Sequence, residues 1–259
     1  MLVIYFYSIL CSTLLYLLLH HKTHMNKKFI FIDNPIVASL SFLLIYLLFG
    51  AVWYSYIAVL FIIPVFSFII IQIRFWRTPN RNLEALSDEI VSPADGNIIY
   101  INKIGVNDNF VSIKKGKISD LKEITRTDLL NKPCWQIGIN MTPFDAHKNC
   151  SPIDGQIVLS KHVTGVFHSL KDFLSMTENE RHTFVIKNEK LVIGVVLIAS
   201  KRVRRIDSYV KNGQFVNKGE WIGMIRFGSQ VDVILPENCN VKVEVGQQVY
   251  AIKTIIADY

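Results

Sequence analysis

Arg226-Phe227-Gly228-Ser229-Gln230-Val231-Asp232-Val233-Ile234-Leu235-Pro236 is the stretch from which the rest of the chain is read. Its Gly-Ser step stands between two strongly β-forming runs and sets a hydroxyl beside the least hindered carbonyl a chain can offer. The same pattern recurs outward from it. From Leu83 on, short apolar runs are separated by Gly96, Gly105, Gly116, Gly155, Gly165, Gly213, Gly219, Gly223 and Gly246. That spacing predicts a mostly β domain, an α+β fold of β-sandwich or barrel-sandwich type with few short helices. Helices are expected at 118–131 and, from apolar spacing, at 166–176. The segments Ser92-Pro93-Ala94-Asp95-Gly96 and Ser151-Pro152-Ile153-Asp154-Gly155 echo one another, and both read as tight turns leading into strands.

Of the 259 residues, 51% are hydrophobic, and the mean hydropathy of +0.31 is too apolar for an ordinary soluble domain. The excess lies at the N-terminal end. Residues 36–73 carry no charge and, at about 1.5 Å per residue, are too long for one crossing of a hydrocarbon core about 30 Å thick. Two short spans, about 36–49 and about 55–73, turning near Gly50-Ala51-Val52-Trp53-Tyr54, fit better. Lys22, Lys27 and Lys28 precede this hairpin and Arg74, Arg77 and Arg81 follow it, so the positive-inside rule puts both flanks in the cytoplasm. The expected organisation is therefore a membrane hairpin over 25–76 preceding a domain over 77–259, whose roughly 180 residues suffice for one buried core. Residues 1–24 are either an extra apolar segment or a start assigned too early, because Met25 followed by Asn26-Lys27-Lys28 is a second candidate start.

A net charge of +7 suits nucleic acid and an anionic membrane surface equally, and the apolar N-terminus decides for the membrane. Nucleic acid is set aside as a partner. Cys11, Cys134, Cys150 and Cys239 lie far apart with no C-x-x-C pair, so neither a zinc site nor a disulfide framework is expected, and no metal.

Three side chains stand out as nucleophile, base and orienter: Ser229, His147 and Asp95. A serine hydroxyl is a poor nucleophile until a base takes its proton, and a carboxylate can fix the tautomer of that base. Taken singly each signal is weak, since Gly-Ser is a common loop dipeptide. Cys150, three residues after His147, is an alternative nucleophile, although a cysteine is more often a small packing residue. Lys201-Arg202-Val203-Arg204-Arg205 reads as the charged face of an edge strand. In a membrane protein Arg202, Arg204 and Arg205 also suit an anionic lipid or a head-group phosphate.

Several segments taken in order carry a resemblance. They are Phe75-Trp76-Arg77-Thr78-Pro79, Val91-Ser92-Pro93-Ala94-Asp95-Gly96, Phe144-Asp145-Ala146-His147-Lys148-Asn149-Cys150-Ser151-Pro152, Glu178-Asn179-Glu180-Arg181, Arg204-Arg205, Ile225 to Val233, and the ending Thr254 to Tyr259. Together they resemble the phosphatidylserine decarboxylase proenzymes, in their short bacterial form. The resemblance implies cleavage between Gly228 and Ser229, with Asp95 and His147 activating the serine. Ser229 would become a covalent pyruvoyl group heading an α chain (229–259), held by a β chain ending at Gly228. That ketone would serve as electron sink while phosphatidylserine loses CO2 to give phosphatidylethanolamine. The implied setting is the cell inner membrane with the catalytic domain on its cytoplasmic face; a homodimer is compatible with it. His182 stands where the short form usually has a small amide, and Gln230 where it often has arginine.

Two other classes compete. The turns Gly213 to Gly223 and Val245 to Ala251 are similar to those of biotinyl and lipoyl carriers, but a carrier needs a lysine at its hairpin tip and Gly228-Ser229 offers none. A hydrolase acting on an external substrate would lack the G-x-S-x-G elbow.

Overall fold

The computed structural model describes residues 2–23, 25–50, 52–105, 111–113, 117–119, 121–131, 133–166, 168–170, 175–200, 205–226 and 229–259. Contacts divide the chain into a helical unit, Met1–Arg77 with Thr142–Phe144, and a second unit, Thr78–Met141 with Asp145–Tyr259.

The helical unit contains α1 (Leu2–Thr23), α2 (Lys28–Phe49) and α3 (Tyr54–Trp76). All three are long and apolar enough to cross a membrane, with mean hydropathies of 2.2, 1.8 and 2.6. One stripe, including Ile4, Tyr16, Phe29, Val37, Ile45, Val59 and Ile63, is buried between the helices. Phe31, Leu47 and Phe61 point outward and are exposed, as residues facing lipid tails would be. Gly50 ends α2 with φ +68°, a left-handed conformation that suits glycine, and its N–H closes on the Tyr46 carbonyl at 3.0 Å. Arg74 on α3 grips Asp33 on α2 with both Nε (2.6 Å) and Nη2, and its guanidinium lies 4.5 Å from the Phe29 ring centre. Phe144 stacks on the other aromatic contact of this cluster, its ring centre 5.4 Å from that of Phe29.

The second unit is mostly β. Its elements are β1 (Glu89–Val91), β2 (Gly96–Ile104), β3 (Val111–Ile113), β4 (Lys117–Ser119), α4 (Leu121–Thr125), β5 (Cys134–Met141), β6 (Lys148–Cys150) and β7 (Gly155–Val163). They continue with α5 (Ser175–Glu178), β8 (Arg181–Lys187), β9 (Val192–Ala199), β10 (Ile206–Ser208), β11 (Phe215–Val216) and β12 (Trp221–Ile225). The chain closes with β13 (Ser229–Pro236), β14 (Asn240–Val241), β15 (Gln248–Val249) and β16 (Ile255–Asp258). A curled eight-stranded sheet runs β11-β7-β8-β9-β13-β5-β2-β15, and two three-stranded sheets, β10-β12-β6 and β1-β16-β14, accompany it with the β3-β4 pair. The main core joins Ile139, Val195, Leu197, Val231, Val233 and Leu235 of the large sheet to Ile206, Ile222 and Ile225 of a small one. A second cluster on the opposite face gathers Ile104, Val196, Ile198 and Ile234 under Leu121 and Ile124 of α4. Burial on both faces explains why the sequence of β9 reads almost continuously apolar.

Two helices differ from expectation. The 118–131 segment gives strand β4 and then only the five residues of α4, because Arg126 turns to φ +55° and its N–H closes back on the Lys122 carbonyl at 2.8 Å. In the 166–176 segment, Val166 instead bridges Asn179, with its N–H on the Glu178 carbonyl at 2.8 Å. Residues 167 and 171–174 of that expected helix lie outside the described residues.

Candidate active site

β13 is the middle of the large sheet, with β9 on one side and β5 on the other. Its first residue, Ser229, lies opposite Met141 of β5 and Ala199 of β9. Phe227, Gly228 and the side chain of Ser229 fall outside the described residues. Ala199 is itself held from behind: its N–H donates to the Glu180 carbonyl at 2.9 Å, and Asn179 Nδ2 donates to its carbonyl at 2.8 Å.

His147 precedes β6 and is fully buried. Its Nδ1 lies 2.9 Å from the Asp145 carbonyl, and since a carbonyl only accepts, Nδ1 carries a proton, so that Nε2 is the nitrogen able to take or give one. The His147 carbonyl accepts the N–H of Ile225, the last residue of β12, at 3.3 Å. β12 ends four residues before Ser229.

Asp95, in the turn before β2, is also fully buried. Arg81 clamps it bidentately, Nη1 to Oδ1 at 2.5 Å and Nη2 to Oδ2 at 2.7 Å. Oδ1 further accepts the Ala251 N–H at 2.9 Å, and Oδ2 that of Ala146 at 3.4 Å. Asp95 thus meets the chain one residue before His147. Paired and hydrogen-bonded on both oxygens, a carboxylate tolerates removal from water.

Cys150 is buried, its Sγ donating to the Ser92 carbonyl at 3.4 Å. Burial pushes its thiol up to about 12, which leaves it protonated and poorly nucleophilic. The basic cluster is only partly described: Arg202 and Arg204 lie outside the described residues, and Arg205 is exposed. Arg205 Nε and Arg226 Nε each reach one oxygen of Asp207, both at 2.8 Å. Partial burial pushes the Asp207 carboxyl up, but hydrogen bonds from Arg226 and Arg205 outweigh it and hold it below its ordinary range.

Sequence reasoning missed Arg81, Arg226 and Asn149. Asn149 could have been found from its place two residues after His147 in the same short polar segment. Arg81 and Arg226 carry no local signal, because their partners are distant in the chain. His182, left open by the sequence, donates to or accepts from Ser160 Oγ at 2.8 Å in the β7–β8 ladder.

A family model described as phosphatidylserine decarboxylase matches residues 68–257. A protein of Methanocaldococcus jannaschii, provisionally named archaetidylserine decarboxylase proenzyme, is 41% identical over 199 residues, covering 76% of this chain and 94% of its own. The similarly named protein of Methanothermobacter thermautotrophicus is 37% identical, covering 76% and 84%. The phosphatidylserine decarboxylase proenzyme of Burkholderia ambifaria is 31% identical, covering 75% of this chain and 82% of its own.

Proposed function

The chain belongs to the phosphatidylserine decarboxylase family, and from that premise we propose that it converts phosphatidylserine to phosphatidylethanolamine and CO2 in phospholipid synthesis, using a pyruvoyl group made from Ser229. In this reading the Ser229 hydroxyl attacks the Gly228 carbonyl while His147 Nε2 takes its proton. The Gly228–Ser229 C–N bond breaks as the nitrogen gains a proton, leaving an ester. Loss of the Ser229 Cα proton expels the Gly228 carboxylate, and hydrolysis of the resulting dehydroalanine releases ammonia. The ketone so made supplies an electron sink for the pair left behind when CO2 departs. His147 then holds a proton ready for that carbon, with its ring oriented by the Asp145 carbonyl. Asp95 fixes the backbone at Ala146 beside it. Arg205, with Arg202 and Arg204, attracts the anionic lipid head group.

The observation that carries the reading is the buried His147 ring, whose Nδ1 proton is committed to the Asp145 carbonyl and whose own backbone carbonyl is hydrogen-bonded to the strand that leads to Ser229. The basic residues at and after the end of α3, Arg74, Arg77 and Arg81, favour a cytoplasmic catalytic unit on the inner membrane. Ser229→Ala should abolish both splitting and decarboxylation. Intact-mass measurement of the wild type should give two chains, the smaller beginning with a pyruvoyl group, and a single unsplit chain with full activity would sink the proposal.

A second reading rests on the names of the archaeal relatives: the lipid could be archaetidylserine. The serine head group is common to both lipids, so the chemistry is unchanged. Assay of a diacyl and a dialkyl-ether substrate side by side separates the two by kcat/KM.

A further inference from the structure

Asn149 is a polar group that the chemistry above leaves unused. It lies on β6, two residues after His147, and is fully buried. Its Oδ1 has no hydrogen-bond partner among the described residues. Among the described residues its Nδ2 reaches only the Met141 sulfur, at 3.9 Å, and a thioether is a weak acceptor. An amide offers two donor hydrogens and two acceptor lone pairs, so most of this capacity is idle where water does not reach. A buried polar atom without a partner is destabilising, and an apolar side chain of similar shape would recover that loss. Its presence here calls for another explanation.

Position supplies one. Met141, which the amide touches, is the β5 residue opposite Ser229, and directly opposed residues of an antiparallel ladder have Cα atoms about 4.5–5.5 Å apart. On the other side Asn149 pairs with Gly223 of β12, where an added Cβ would meet the Asp207 carbonyl oxygen at 2.8 Å and Leu197 Cδ1 at 3.3 Å. The small sheet therefore approaches the large one closely at this point, and the amide is caught between them near the opening of β13.

We propose that Asn149 is a hydrogen-bonding residue of the self-splitting site, an inference that rests on the splitting reading given above. A half-turn about its Cβ–Cγ bond brings Nδ2 to the place now held by Oδ1. Nδ2–H then donates to the peptide carbonyl that the Ser229 hydroxyl attacks. As the new O–C bond forms, the carbonyl π pair moves onto oxygen, and His147 takes the hydroxyl proton. Collapse of that oxyanion breaks the C–N bond, and the leaving nitrogen is protonated. Asn149 stabilises the oxyanion and neither gains nor loses a proton.

The test follows precursor splitting by intact mass during cell-free synthesis of the full chain into phospholipid vesicles, for wild type, Asn149→Leu and Asn149→Ala. Removing one such donor should slow splitting about 100-fold. Asn149→Leu should melt at or above the wild-type temperature, since it removes an idle buried amide. Hydroxylamine, which cleaves an accumulated ester, should release no additional fragment from the slow variants. Splitting within about threefold of wild type in either folded variant overturns the proposal. So does a hydroxylamine-released fragment, which would put the defect after ester formation, and so does loss of folding in both variants, which would make the amide structural. A wild-type chain that never splits sinks the underlying reading instead, and is recognised before any variant is compared.

Discussion

His182 shows what burial does to a single titrating side chain here. It lies in β8 with its ring centre 4.4 Å from that of Phe184 and 6.0 Å from that of His162. Burial first, and then repulsion from His162, push it down from 6.5 to about 4. The unfolded chain takes up this proton near 6.5 and the folded chain only near 4, so between those values the unfolded state binds more protons. Stability therefore falls as pH drops through that window, by about 3 kcal/mol in full, and is flat with respect to this group below it. His182→Asn should lose less stability than wild type between pH about 6.5 and about 4 in urea titrations. Parallel losses in the two proteins would refute the assignment. Asp95 is buried too, and there the Arg81 clamp and two backbone N–H groups occupy both carboxylate oxygens.

At the scale of the element, β13 is pinned by more than its ladders. Tyr100, Gly138 and Asp232 stand in one row across β2, β5 and β13. With no side chain at Gly138, the Tyr100 ring crosses β5, and its hydroxyl reaches Asp232 Oδ2 at 2.7 Å. Gln230 Nε2 donates to the Tyr100 oxygen and to Asp232 Oδ1, both at 2.7 Å, and Gln136 Nε2 donates to Asp232 Oδ2 at 2.7 Å. Burial, and then the Asp232 charge, push the Tyr100 phenol well above its ordinary range, so it serves as a donor. A Cβ at position 138 would fall on the Tyr100 ring. Gly138→Ala should therefore evict that ring, strip Asp232 of a donor and destabilise the protein by about 2–4 kcal/mol. Chemical denaturation checks this, and a loss below about 0.5 kcal/mol would show that the ring has room to move.

At the scale of the molecule, the proposed α chain would contain β13, β14, β15 and β16. It would hold the centre of the eight-stranded sheet and parts of its edge and of a smaller sheet. Splitting before Ser229 would thus leave two chains whose separation requires opening β9-β13-β5, and they should co-purify in mild detergent and part only in denaturant. The three apolar helices make a parallel prediction: alkaline carbonate should leave the protein in the membrane pellet, because each helix in water would expose roughly 20 apolar residues. Recovery in the supernatant would refute a membrane-spanning role for them.

The sequence by itself determined the mostly β architecture, because glycine turns and short apolar runs impose period and chain reversal locally. It also determined that the N-terminal end is apolar over spans of bilayer length, a property of composition, and it singled out Ser229, His147 and Asp95 through ordered motifs. Local cues failed where distant groups intervened: α4 stops at Thr125, whose carbonyl accepts the Thr183 hydroxyl at 2.7 Å, and Arg126 after it turns left-handed, which a run of apolar positions does not announce. Only the tertiary structure decided that Asp145 supplies the carbonyl fixing the His147 tautomer. It alone showed that Arg81 answers the charge of Asp95 across fourteen residues, and that Asn149 is buried with an idle amide oxygen. The physical reason is the same in each case: a strand's own pattern sets which face a residue occupies, whereas its partner across the fold is set by ladder register and by how closely two sheets approach.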